Sequence, residues 1–195
     1  KAGIENVELG SVHKYFETKQ IKKFNFNFLI HNYFPPPKIP FNFNLASSNK
    51  EIKEKSYNLA IQAIDLCAEI ESPLYTFHAG FTVDPPELGE AFPKENITDR
   101  KKAISIFIQE VMKVVDHGTS RGIKTAMEPN VVQKFNLVNN KNELSLFAEF
   151  PEIEELFQSL NETKLGLLLD LGHTIVTSHW LNFDKDEFVE KIKER

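Results

Sequence analysis

The sequence predicts an α/β fold on a parallel sheet, from three observations. Apolar runs of strand length alternate along the chain with longer stretches whose apolar residues recur at helical spacing. Four of these runs finish on a side chain of metal-ligand type. Phe28-Leu29-Ile30 runs into His31, Leu74-Tyr75-Thr76-Phe77 into His78, Ile123 to Met127 into Glu128, and Leu165 to Leu169 into Asp170, with His173 following in Asp170-Leu171-Gly172-His173. Finally, no Gly-x-Gly-x-x-Gly or Walker loop follows any run, which argues against a dinucleotide or P-loop fold. Strands joined by single helices call for a parallel sheet with right-handed crossovers, and such sheets keep their chemistry at the carboxyl ends of the strands.

Taken in order, Ile4 to Leu9 is a short strand ending near Gly10, and Val12 to Gln20 forms a turn of helix. Phe24 to His31 alternates Phe24, Phe26 and Phe28 with Asn25 and Asn27, a strand pattern. Pro35-Pro36-Pro37 and Pro40 forbid regular structure and make a rigid loop before a brief extended segment, Phe41 to Leu45. Ser48 or Asn49 caps a helix whose apolar face carries Ile52, Ser56, Leu59, Ala60, Ala63, Ile64, Cys67 and Ala68. Pro73 separates it from the strand Leu74 to His78. The loop Gly80 to Thr98, with Pro85-Pro86, Gly89 and Pro93, is long enough to imply a role.

The next helix is capped near Thr98 or Asp99, presents Ile104, Phe107, Ile108, Val111, Met112, Val114 and Val115, and ends at Gly118. After the strand Ile123 to Met127, Asn142 caps a helix Glu143 to Phe150 and Pro151 opens another to Leu160. Leu165 starts the fifth strand, His179-Trp180 lie in the loop after it, and Asp184 caps a last helix, Lys185 to Arg195.

The bulk numbers narrow the function classes. A chain of 195 residues suffices for one domain with a sizeable core, and 41% hydrophobic with 26% charged residues is ordinary for a globular protein. A net charge of −5 gives no support to a general nucleic-acid surface. One cysteine, Cys67, precludes an intramolecular disulfide and suits a reducing compartment, so a cytoplasmic location is expected. No run approaches the roughly 20 apolar residues of a membrane span, and no signal-peptide pattern opens the chain. The sequons at Asn96 and Asn161 read as chance in an Asn-rich chain.

The strand-end residues carry the chemistry. Carboxylate oxygen suits hard divalent cations, and zinc, manganese and iron accept imidazole as well. Asp170 and His173 can face a common centre; Asp170 capping a turn with His173 on its surface is the plainer alternative. Glu128 can ligate a cation, take a proton from a carbon beside a carbonyl, or form a salt bridge at the rim. His78, followed by Ala79-Gly80 that permits close approach, and His31, before the proline loop, are ligand or substrate-binding candidates, or simply hydrogen-bonded structure. Trp180 can stack on a sugar face or anchor an interface. His117 at a helix end suits the dipole. Glu152, Glu154 and Glu155 read as a solvated helix face, and Cys67 as a buried apolar residue. No Ser-His-Asp spacing or nucleophile elbow occurs.

With those residues in hand, the chain resembles the xylose-isomerase-like TIM barrels, a superfamily of sugar phosphate isomerases and epimerases that also holds endonuclease IV. Leu-Leu-Leu-Asp-Leu-Gly-His at 167–173 resembles the family's Asp-x-x-His strand, Phe-His-Ala-Gly at 77–80 its His-x-Gly strand, and Met-Glu-Pro-Asn at 127–130 its metal-binding Glu strand. His31-Asn32-Tyr33 is similar to the segment before the family's Asn-Leu-(Gly/Ala), here Asn44-Leu45-Ala46. The resemblance implies a partial TIM (β/α)8 barrel of about five to six parallel strands with outer helices, a single incomplete domain over 1–195. On that alignment the family's first strand is missing, as are its last two, which bring a further metal His and a second Glu. A complete barrel needs about 250 residues, so such a piece by itself is expected to be inactive and poorly soluble.

What the resemblance implies for function is a divalent-metal-dependent isomerase or epimerase of a sugar, sugar phosphate or related polyol ketone, working through a metal-stabilised enediolate. Glu128 and Asp170 would ligate the metal (Mn, Mg, Zn or Co) with the missing His and Glu, His173 and His78 being further candidates for its shell; Glu128, or the absent last-strand Glu, would move the proton; and His31, His78, His173 and Trp180 would bind the carbohydrate. Endonuclease IV, the alternative branch, follows its Glu with Asn-Thr where this chain has Pro129-Asn130, and uses three zinc ions and positively charged DNA-contacting loops. Here the loops Phe34 to Phe43 and Phe81 to Glu95 are Pro-, Phe- and acid-bearing, so nucleic acid is not the expected partner, though the retained His78 keeps that branch open. A non-catalytic metabolite-binding barrel is the third reading.

Overall fold

The computed structural model describes residues 3–10, 14–86, 90–160 and 163–194; Val12, His13, Gly89, Asn161 and Arg195 lie outside them. Five strands, β1 (Asn6–Leu9), β2 (Asn27–His31), β3 (Leu74–His78), β4 (Lys124–Glu128) and β5 (Leu165–Leu167), form one sheet in that order, each neighbouring pair parallel. Helix α1 (Lys50–Glu69) links β2 to β3, α2 (Arg100–Ser120) links β3 to β4, α3 (Phe150–Ser159) links β4 to β5, and α4 (Leu171–Leu181) and α5 (Lys185–Lys193) follow. An order without reversal is that of a barrel rather than a doubly wound sheet, so the fold is a partial TIM barrel. No described helix is long and apolar enough to cross a membrane.

Strand alternation divides the sheet into two faces. Val7, Phe28, Tyr75 and Thr125 share the helix-covered face by register, and Phe28, Ile30, Tyr75, Phe77 and Met127 are buried in the core. Leu29, His31, Thr76, His78, Ala126 and Glu128 have the opposite parity and share the face a closed barrel turns inward. Leu29 remains 38% exposed there. The chemistry therefore sits at the carboxyl end of the inner face.

Asn49 and Asp99 cap α1 and α2 as the sequence suggests, accepting from Glu51 and Ile52 N–H and from Lys102 N–H respectively. Gly118, however, does not end α2. It lies within the helix where a Cβ would come 2.8 Å from Thr125 Cγ2 and 3.0 Å from Ile123 O, so glycine lets α2 lie close on β4. Gly122, at φ +71, follows the true end at Ser120. Met112, expected in the core, is 45% exposed.

Other expectations also need correction. β2 starts at Asn27, not Phe24; the exposed Phe24 and Phe26 rings stack on each other before it. Residues 41–45 are not a strand but a turn held by Asn44. Residues 143–149 are not helical: Asn142 closes a turn by accepting from Ser145 N–H, and Leu144, Leu146 and Phe147 are all fully buried. Arg100 donates to Ser145 O and Asn142 O while forking onto Glu152, which also accepts from Phe147 N–H. Glu152 is thus an internal partner rather than part of a solvated face. His179 and Trp180 belong to α4, not to a loop.

Gly80 confirms the close approach that its position suggests. A Cβ there would lie 2.5 Å from Ala46 Cβ and 3.0 Å from Ala46 N. Gly80→Ala is expected to destabilise the fold by about 2 kcal/mol, seen as a lower urea midpoint; an unchanged midpoint would refute this packing.

Candidate metal centre

Glu128 closes β4 with a carboxylate only 4% exposed, and three imidazoles converge on it. His31 Nε2 from the end of β2 lies 3.4 Å from Oε2, His78 Nδ1 from the end of β3 lies 3.8 Å from Oε2, and His173 Nδ1 from the first turn of α4 lies 2.9 Å from Oε1. The rings of His31 and His78 meet edge to face at 5.0 Å, and those of His78 and His173 stack at 5.4 Å. Strand register explains the convergence, since His78 pairs with Glu128 and His31 with Thr76. Thr76 Oγ1 lies 2.8 Å from His31 Nδ1, leaving Nε2 for the centre.

Asp170 satisfies both sequence readings at once. It is the N-cap of α4, its Oδ1 accepting from His173 N–H at 2.8 Å, and it stands beside Glu128 and His173. Two donor groups result, His31–His78–Glu128 and Glu128–Asp170–His173, each with ligand atoms within 4.8 Å of one another and both using Glu128. Carboxylate and imidazole donors with one histidine oriented from behind are a donor set that fits a borderline divalent cation. All the predicted strand-end residues are therefore brought together. Trp180 is not: it lies in the last turn of α4 beneath Lys134 Nζ, 5.3 Å from its ring, and does not line the cavity described below.

Burial, followed by the neighbouring His31 and His173, pulls the His78 imidazole down to about 4 against the opposing charge of Glu128. Burial also lowers His173, but the hydrogen bond and charge of Glu128, with help from Asp170, outweigh it and leave His173 raised. For Asp170, burial raises the carboxyl, yet the His173 N–H, the His173 charge and the Gly172 N–H hold it low overall. His78 is thus neutral near pH 7 and available as a ligand or acceptor.

The sign of the pH effect follows. A histidine whose folded pKa lies below its unfolded value of 6.5 contributes stability that is present above 6.5 and lost as pH falls towards about 4. The metal-free protein is expected to lose roughly 3 kcal/mol across that window through His78, and His78→Gln to flatten the curve in urea titrations at several pH values. An identical slope in the variant would contradict the assignment.

A cavity of about 330 Å³ opens beside the histidines. Its walls are mainly Phe43, Phe81, Phe92 and Phe135, with His78 and His173 contributing the polar end. None of the described lining residues is Lys or Arg. Asn32 and Asn130 also line it, and sequence reasoning did not single them out as site residues; the signal available was their position directly after the strand-end His31 and two residues beyond Glu128.

A family model described as xylose isomerase-like TIM barrel matches residues 17–195. Among curated proteins, a probable endonuclease 4 of Aquifex aeolicus (strain VF5) is 25% identical over 143 residues, 73% of this chain and 43% of that protein. The apurinic-apyrimidinic endonuclease 1 of Plasmodium falciparum (isolate 3D7) is 29% identical over 177 residues, 88% of this chain and 25% of that protein. Among solved structures, a D-tagatose 3-epimerase-like protein superposes with TM-score 0.60 at 18% identity, covering 90% of this chain and 55% of the other. The chain spans less than half the length of those curated relatives and about half of that structure.

Proposed function

We propose, for a chain that belongs to the xylose isomerase-like TIM barrel family, a divalent-metal-dependent isomerase or epimerase acting on a sugar or related polyol ketone. The observation that carries this reading is the aromatic cavity, with no lysine or arginine among its described lining residues, that ends on His78 and His173 beside the Glu128 carboxylate. Apolar walls suit the carbon face of a small polyol, and the histidine end suits its oxygens. A phosphodiester backbone calls for cationic contacts that this lining does not offer.

Glu128, Asp170 and His173, with His31 and His78, would hold the cation. Bound there, a cation would polarise a substrate carbonyl and offset the charge of the enediolate. The chain's own groups would do the rest. His78, with its lone-pair nitrogen turned to the cation, would donate its remaining ring N–H to a substrate oxygen, and His173, anchored by Glu128 and by Pro129 O at 3.2 Å, would fix the orientation of another. Glu128 is the carboxylate closest to the cavity histidines and would carry the proton between adjacent carbons. The phenylalanine walls keep water from the exposed carbanion.

A second reading has its own support. Glu128 is shared by two donor groups, as a carboxylate bridging two cations would be, and both curated relatives described above bear endonuclease names. That arrangement suits metal-assisted hydrolysis of a phosphodiester at an abasic site. One experiment separates the two. The full-length protein, loaded with Mn²⁺ or Zn²⁺, is incubated in deuterated water with ketohexoses and, in parallel, with abasic duplex DNA. The first reading expects deuterium at the carbon beside the carbonyl and intact DNA; strand cleavage without sugar exchange would overturn it.

A further inference from the structure

We propose that Asn32 and Asn130 are specificity-determining residues that read hydroxyl groups of an uncharged polyhydroxy ketone, the cavity selecting against phosphorylated sugars. This deepens, and rests on, the sugar reading above. Both residues line the cavity, and both are more than nine-tenths buried, at 6% and 3% exposure.

Each amide is fixed at one end and open at the other. Asn32 Oδ1 accepts from His78 N–H at 3.4 Å, its backbone N–H donates to Thr76 O, and its carbonyl accepts from the Tyr75 hydroxyl. Its Nδ2 has no partner among the described residues. Asn130 Nδ2 donates to Gly80 O at 2.8 Å and Leu146 O at 3.1 Å, which commits Oδ1 to the opposite side, again without a described partner. Ser145 Oγ is the only side-chain polar atom, among the described residues, both sealed from solvent and unpaired. The free ends of Asn32 and Asn130 therefore open onto space, and the space they line is the cavity.

The cavity thus presents a fixed donor and a fixed acceptor in largely apolar surroundings. A hydroxyl can donate to Asn130 Oδ1, and a hydroxyl or carbonyl oxygen can accept from Asn32 Nδ2, so a vicinal diol or hydroxyketone satisfies both. A ligand lacking these groups leaves buried amide atoms unpaired, which is how such sites discriminate. Away from the histidine end, a phosphate would meet phenylalanine rings and Glu90, with no Lys or Arg among the described lining residues.

The test is calorimetric titration of the Mn²⁺-loaded full-length protein with the four free D-ketohexoses and their 6-phosphate esters, without measuring turnover. At least one free sugar should bind about tenfold tighter than its ester. Asn32→Asp suits the positive φ of 45° at this position and keeps the His78 contact while turning the donor into an acceptor. It should weaken that sugar about tenfold with manganese stoichiometry unchanged. Esters that bind as well as or better than the free sugars, no sugar binding at all, or equal binding by the variant would each overturn the proposal; the ester comparison needs no variant to fold. A protein that binds free sugar but exchanges no carbon-bound hydrogen would instead sink the isomerase reading and leave this one standing.

Discussion

Replacing Glu128 by glutamine should lower divalent-cation affinity by at least about 100-fold and reduce turnover to that of the metal-stripped protein, while leaving the fold intact. The affinity loss follows from the position of this carboxylate, which, among the described residues, alone belongs to both donor groups and alone faces His31, His78 and His173. Changes to the groups that merely support metal ligands typically cost 10- to 100-fold, and this one removes a ligand charge. The fold should survive because glutamine has the same shape and its amide oxygen can still accept from His173, while a charge only 4% exposed disappears. Melting temperature and circular dichroism within a few degrees and a few per cent of the parent, with metal lost by elemental analysis, are the expected pair of results. Retained metal at parental stoichiometry would remove Glu128 from the centre.

Asn44→Ala should produce the largest loss of stability of any single change considered, about 4 kcal/mol. Asn44 is 1% exposed. Its Nδ2 donates to Phe81 O, Val83 O and Asp84 Oδ1, and its Oδ1 accepts from the N–H groups of Ala46 and Phe81. Alanine would leave two buried N–H groups and two carbonyls without partners, each worth roughly 1–3 kcal/mol before relaxation. Because the same contacts seat Phe81 and the loop carrying Phe43, both of which line the cavity, sugar binding should fall with stability. Denaturant unfolding with a loss under about 1 kcal/mol would show that this asparagine is replaceable by water.

The site was legible in the sequence because its ligands end strands. His31, His78 and Glu128 each follow an apolar run, and a period of two places them on one face once the register is parallel. Asp170 and His173 were legible as a pair, although their geometry comes from the first turn of α4 rather than from β5. That helix was missed because Thr174, Ile175, Val176 and Thr177 are β-branched and its apolar residues lack a clear stripe, so local preference pointed away from a helix that tertiary packing imposes.

The segment 143–149 failed in the opposite direction. Its composition favours a helix, but Arg100 and Glu152, distant in sequence, hold its backbone in an irregular path that buries Leu144, Leu146 and Phe147 together. A charge pair between α2 and α3 leaves no local trace, and for the same reason Glu152 read as solvated. Asn32 and Asn130 stayed hidden because an asparagine after a strand is usually a turn residue; only the closed hydrogen bonds at one end of each amide reveal the open end.

The metal centre is tested most directly by a crystal structure of the full-length protein grown with zinc, with anomalous data collected at the zinc edge. A peak is expected about 2.0–2.2 Å from a Glu128 carboxylate oxygen, with His31 and His78 or Asp170 and His173 completing its shell. Full-occupancy zinc bound elsewhere, with these five side chains still joined only to one another, would contradict this placement.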